Sequence, residues 1–501
     1  MSFTNPILTG FHPDPSICRV DDNYYLITST CEYFPGVPIY HSKDLTNWRH
    51  IGYCLTRESQ LSLGAAANSA GVWAPTLRYY DGRFYMITTN VSDGGHFYVY
   101  TDDIYGEWSD PIWVAGKGHD PDLFFDQDGK VYFSKHNGHD GIALWEIEIE
   151  TGTLMGEPTS LWRGYEDKQC EAPHLYAING MYYLITAEGG TWRGHMVTAA
   201  RSKSIRGPFE SCPHNPILTH RCLIGHPIQT VGHGDLIQAH NGSWWMVFLA
   251  TRTVGYLFHH LGRETFLAPV TWDEEGWPIV NNGDPIEIEM TADCLPQHPW
   301  PDVSTRDDFD SISFSLQWNF LRGKPDERIS LTDREGWLTL QGELEPMGRP
   351  GFRTFVGRRQ QHFECLAGTR LEFDAEEDGV EAGLTVYSNE RHRYDLAVTR
   401  ADGIKKLIIR KTIGDISVIT VSEELDEGIV QLYVKAHERE YQFGFGMDGQ
   451  SPKWLATGMT QYMSGEVSGS FTGVYFAMYA AGNGQQQSGH AYFDWFDYCP
   501  L

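Results

Sequence analysis

Cysteine, positive charge and long apolar runs are all scarce in this chain. Nine cysteines are scattered over 501 residues: Cys18, Cys31, Cys54, Cys170, Cys212, Cys222, Cys294, Cys365 and Cys499. The number is odd and no CxxC pair occurs, so neither a structural zinc site nor a disulfide framework is indicated. Lys and Arg number 38 against 66 Asp and Glu, a formal charge of −28. Such a surface repels phosphate backbones and anionic lipid, which argues against nucleic acid or a membrane as partner. A neutral ligand such as a sugar is not penalised. No stretch approaches the roughly 18 apolar residues that a membrane helix needs. The opening residues, MSFTNPILTG, lack a basic segment followed by an apolar core. That reads as no secretory leader, and a cytoplasmic location is expected.

What is present is repetition. The apolar fraction, 41%, is enough for sizeable cores, and the length suggests two or three domains. Five segments share a Pro- or Gly-containing start, an apolar strand, a tight turn and an aromatic strand: DPSICRVDDNYYLI, APTLRYYDGRFYMI, DPDLFFDQDGKVYF, APHLYAINGMYYLI and GDLIQAHNGSWWMV. Their turns fall at Asp21–Asn23, Asp81–Gly82, Asp128–Gly129, Asn179–Gly180 and Asn241–Gly242, and Asn-Gly and Asp-Gly are strong hairpin signals. Aligned on Ile17, Leu77, Leu123, Leu175 and Leu236, the repeats are 60, 46, 52 and 61 residues apart. That spacing suits four antiparallel strands plus loops, and no amphipathic helices separate the units. The pattern predicts an all-β chain whose residues 1–295 form a five-bladed β-propeller. A Pro-rich stretch at 296–306, with Pro296, Pro299 and Pro301, reads as a linker. Short alternating strands over 307–501 predict an antiparallel β-sandwich whose last strand pairs inside a sheet.

The repeat register converges on chemistry. Innermost strands line a propeller's channel, so equivalent positions meet at one mouth. Three residues before the aligned aliphatic stand Asp14, Ala74, Asp120, Ala172 and His233; one residue earlier stand Pro13, Trp73, His119, Glu171 and Gly232. Three carboxylates from three blades thus face a common axis. Neighbouring carboxylates raise one another's pKa, which yields an ionised base beside a protonated acid, the pair that glycosidic cleavage requires. Asp-Pro is also a common turn element, and Asp122, Asp126 and Asp128 read as structural.

At these residues the chain resembles glycoside hydrolase family 43, in the branch of β-xylosidases and α-L-arabinofuranosidases that carry a C-terminal, concanavalin-like β-sandwich. The motifs are GFHPDPSI from Gly10, FPGVPIYHSKDLTNW from Phe34, WAPTLRYYDG from Trp73, GHDPDLFFD from Gly118, CEAPHLY from Cys170, GHGDL from Gly232 and LGRETFLAP from Leu261. The resemblance implies Asp14 as general base, Glu171 as general acid and Asp120 as the residue that keeps Glu171 protonated and oriented. It implies an inverting, single-displacement reaction with no required cofactor. Trp73 should pack on a terminal pentose, Arg263 should bind its hydroxyls and Phe34 should help wall the pocket. The structural alternatives are propeller core for Trp73 and an ion pair with Glu264 for Arg263. His233 should sit at the channel floor; some family members hold a divalent cation there, so a structural Ca²⁺ is compatible with the resemblance. No second ligand is spaced for a metal: His226 is seven residues away and His259–His260 lacks a partner.

Two departures bear on the substrate. Cys31 stands where related β-xylosidases often have an aromatic, a change expected to enlarge the pocket. Ala172 stands where Gly is common. The leading expectation is an exo-acting β-D-xylosidase on short xylo-oligosaccharides with side activity on α-L-arabinofuranosides. The alternatives are chiefly an α-L-arabinofuranosidase, or a carbohydrate-binding propeller without catalysis. The expected partner is a small oligosaccharide, and a homo-oligomer stays open.

Overall fold

The computed structural model describes residues 2–166, 169–255, 257–293, 295–375, 377–447, 450–486 and 489–501. Cys294 lies outside the described residues. Five antiparallel sheets succeed one another along the first 280 residues. Blade one runs Ser16–Val20, Asn23–Ile27, Gly36–Ser42 and Arg49–Leu55, and blade two runs Val72–Tyr80, Arg83–Asn90, Gly95–Thr101 and Ile112–Val114. Blade three runs Asp122–Phe125, Val131–His136, Ile142–Glu148 and Thr153–Trp162. Blade four runs Glu171–Ile178, Met181–Glu188, Met196–Ser202 and Glu210–Ser211, with Leu218–Thr219 also paired to its third strand. Blade five runs Ile228–Gln238, Trp244–Arg252, Glu264–Trp272 and Pro278–Val280.

The hairpin turns divide into two kinds. Asp81–Gly82 and Asn179–Gly180 are two-residue loops with both residues at positive φ, the twist that suits flanking strands. Blade one turns through Asp21–Asp22, and Asn23 already belongs to the next strand. Blades three and five turn more widely, through 126–130 and 239–243, each closed by a backbone bond to a positive-φ glycine: Gly129 to Asp126 O at 3.1 Å and Gly242 to Ala239 O at 2.9 Å.

The ring closes through the N-terminus. Ser2–Thr4 pairs with Glu289–Thr291. Leu8 exchanges backbone hydrogen bonds with Thr265 on the third strand of blade five, and the Asn5 side chain bonds both polar backbone groups of Leu267. Between blades, the innermost strands lack a ladder partner on one edge, so their N–H groups need other acceptors. Ile17 N–H donates to Asp235, Leu77 to Ser16, Leu175 to Asp122 and Leu236 to Tyr176, each on the preceding blade of the ring. Arg78 fills the channel beneath the mouth, with Nη2 2.8 Å from Asp122 and 2.9 Å from His174 Nδ1, and Nη1 3.4 Å from Asp235.

From Leu295 to Val303 the Pro-rich stretch forms no strand or helix. It lies along blade one, where His298 N–H donates to Asp44 at 2.6 Å and Trp300 Nε1–H to Asn47 O. The sandwich has one eight-stranded and one six-stranded sheet. Its last strand, His490–Pro500, lies between Leu338–Gln341 and Cys365–Phe373. Among the described residues no helix is long and apolar enough to cross a membrane.

The two domains share a core. Tyr33–Phe34 of the propeller pairs with Phe320–Leu321 as a two-stranded ladder, and one apolar cluster runs from blades one and two into the sandwich. Phe34 belongs to that cluster and is nearly inaccessible. It does not line the pocket described below, which corrects its expected role: pairing with Phe320 turns it into the seam.

Candidate active site

The five inward positions adopt one conformation. Asp14, Ala74, Asp120, Ala172 and His233 have φ of 53°, 26°, 54°, 50° and 53°. A non-glycine residue in that region costs on the order of 1–2 kcal/mol, so five such kinks in register are held by the surrounding blades. In blades two, four and five the ladder slips at this kink. Each kink turns the strand entrance towards the channel mouth.

A cavity of about 190 Å³ opens there. Asp14, Trp73, Asp120, Glu171, His233 and Arg263 all line it, and so do His119, His195, Trp192 and Phe471. Phe34 and Cys31 do not. Cys31 is fully buried with Phe11 and Tyr33 in a cluster against which Trp73 packs. Its small side chain therefore acts behind the wall, so the expected direct enlargement of the pocket is not found.

Asp14 is built to be a carboxylate. Its Oδ1 accepts from Arg263 Nη1 at 2.9 Å, its Oδ2 from Ser29 Oγ at 2.6 Å, and His233 Nδ1 lies 3.7 Å away. Burial raises its pKa, but Arg263, His233 and the Ser29 bond outweigh burial and hold it below the usual range. Glu264 is taken by Arg252, at 2.7 and 2.8 Å, so the Glu264 alternative for Arg263 does not hold. Arg263 also reaches Thr191 Oγ1 at 3.3 Å.

Glu171 lies across the cavity with Asp120 and His119; one oxygen or nitrogen of each is within 4.8 Å of the others. Burial raises the pKa of Asp120, and Glu171 adds to the rise. Asp120 reaches the acid's chain segment through Ala172 N–H at 3.2 Å, while the Glu171 carboxylate meets His119 Nε2 at 3.1 Å. His195 is kept neutral by burial, at about 4, with Nδ1–H donating to Thr230 O at 2.9 Å. His233 and Asp14 do not belong to any group of three or more ligand-type side chains among the described residues.

The aromatic wall comes from both domains. Trp73 Nε1–H donates to Ser69 O at 2.7 Å. Phe471, on a sandwich loop, stands 6.0 Å from Trp73, 5.6 Å from Trp192 and 5.6 Å from the Arg263 guanidinium. His119 was visible in the repeat register without an assigned role; His195 and Trp192 sit in the GGTWRGH segment, which carried no repeat signal. Phe471 had no sequence signal at all.

A channel mouth with an ionised carboxylate on one side, a second carboxylate on the other and aromatic walls around a single small cavity defines a glycoside hydrolase. The chain belongs to glycosyl hydrolases family 43: residues 3–278 match that family, and residues 306–499 match the β-xylosidase C-terminal concanavalin A-like domain. It is 43% identical to the non-reducing end α-L-arabinofuranosidase BoGH43B of Bacteroides ovatus, over 99% of this chain and 94% of that protein. It is 37% identical to a xylan 1,3-β-xylosidase of a Vibrio species, over 99% and 98%. The structure of Bacteroides ovatus xyloglucan PUL GH43B superposes over all of both chains with a TM-score of 0.97 at 42% identity. The alternative of a binding propeller without catalysis falls with this membership.

Proposed function

We propose that this chain is an exo-acting, inverting hydrolase that releases terminal β-D-xylose from short xylo-oligosaccharides. The observation that carries the reading is the shape of the site: one small cavity at the channel mouth, walled in part by Phe471 of the sandwich, with Asp14 and Glu171 on separate blades. Such a cavity takes a chain end and not a chain middle. Asp14, ionised by Arg263 and Ser29, takes a proton from water at the anomeric carbon while Glu171 protonates the departing oxygen. This division of labour needs no cofactor. Proton NMR of the first product formed tests the stereochemistry, and a retained anomer would sink the inverting assignment.

A second reading, chiefly an α-L-arabinofuranosidase, is favoured by the 43% identity to the Bacteroides ovatus enzyme. Matched nitrophenyl β-D-xylopyranoside and α-L-arabinofuranoside separate the two, and a dominant arabinofuranoside rate would overturn the first.

A further inference from the structure

Glu171 has one side-chain partner among the described residues, and it is not Asp120. Asp120 fixes the backbone at Ala172; the Glu171 carboxylate itself is met by His119 Nε2 at 3.1 Å. His119 is held in turn. Its ring lies 4.5 Å from that of His136, whose Nδ1–H donates to Cys170 O at 2.7 Å, and 5.8 Å edge-on from Trp73. We infer that His119 and Glu171 act as one acid, a hydrogen-bonded pair carrying a single transferable proton, in which His119 positions and reloads the Glu171 carboxyl. The inference rests on the hydrolase reading above.

The surrounding charges support it. Burial disfavours the imidazolium and Lys135 opposes it, but Asp120 and the bond to Glu171 outweigh both and push His119 up to about 9. His136 and His96 are the other titratable groups facing it from blades two and three. Burial pushes Glu171 up, yet the hydrogen bond and charge of His119 bring it below its ordinary value. With the proton on His119, the Glu171 carboxylate cannot itself protonate the leaving oxygen. The pair removes the conflict, because His119 imidazolium with Glu171 carboxylate and neutral His119 with Glu171 carboxylic acid have the same proton count. Transfer along the existing hydrogen bond interconverts them.

In the reaction the proton leaves Glu171 for the glycosidic oxygen as the anomeric C–O bond breaks and its electron pair stays on that oxygen. The water oxygen bonds to the anomeric carbon, and its proton passes to Asp14. Asp14 then releases a proton to solvent and the pair takes one up, so the net change is one water consumed.

The test is the pH profile of kcat/KM for the wild type, His119→Gln and His119→Phe on xylobiose and on an aryl xyloside with a good leaving group. Gln keeps a donor for Glu171 but cannot hold the proton; Phe removes both. The expected result is an alkaline limb that falls by at least about one pH unit in H119Q, with a plateau loss under about tenfold. H119F should lose more on xylobiose than on the aryl xyloside. An alkaline limb in H119Q that stays put or moves up overturns the inference, and this reading stands even where H119F does not fold. Wild type inactive on both xylosides overturns the xylosidase reading, and the same three pH profiles are then read on an aryl α-L-arabinofuranoside; active wild type with an unmoved limb overturns this inference alone.

Discussion

The backbone N–H of Phe471 donates to Ser69 Oγ across 2.9 Å, joining a sandwich loop to the propeller segment that holds Trp73. Ser69 is itself at φ 63°, with its N–H on the buried Glu32 at 3.1 Å. The two aromatic walls of the cavity thus hang from one residue. Phe471→Ala should raise KM with a smaller change in kcat, lowering kcat/KM by about ten- to a hundredfold, as expected for losing an aromatic contact and the seal around it. Michaelis kinetics on the aryl xyloside decide it, and an unchanged KM would refute a substrate-facing role.

The two carboxylates should fail differently. Glu171→Ala is expected to cost about 10²–10⁴-fold on xylobiose and much less where the leaving group needs little protonation. Asp14→Ala should cost a similar factor on both, because every substrate needs the activated water. Equal losses for Glu171→Ala on both substrates would count against its role as acid.

Arg263 sets the acidic limb of the profile. Asp14 lies below the usual carboxylate range because Arg263 and its other partners outweigh burial. Removing the guanidinium in Arg263→Leu leaves burial to push Asp14 up, so the base becomes protonated at a higher pH. The acidic limb of kcat/KM should move to higher pH, together with a loss of substrate affinity; a limb that stays in place would show that Asp14 is not the titrating base.

The Arg78 network is a stability element. Arg78→Met leaves Asp122 and Asp235, both fully buried, without their cation. Breaking a buried pair from one side costs about 3–5 kcal/mol. Urea unfolding should show a lower midpoint, and a midpoint equal to wild type would mean the carboxylates find other partners.

How much of this was legible in the sequence follows from how each residue reaches the site. Asp14, Asp120 and Glu171 were legible because a propeller repeats its strand entrances, and the shared positive φ at Asp14, Ala74, Asp120, Ala172 and His233 is that repeat in backbone form. Phe34 was misplaced because its neighbour is Phe320, a pairing across domains that no local pattern encodes. Phe471 was invisible for the same reason: it meets Arg263, 208 residues earlier, only after the sandwich docks. Cys31 was read as pocket lining, whereas packing sets it one layer back, behind Trp73.

The closure of the ring by its first residues has a consequence for the order of assembly. Residues 2–12 are pinned to strands near 264–291, and the base at Asp14 receives its cation from Arg263. A folding chain therefore has no cation with which to bury Asp14 as a carboxylate until the fifth blade has formed. It cannot complete the cavity wall until Phe471 has emerged as well. Hydrolytic competence therefore waits on both the closed ring and the sandwich loop that carries Phe471.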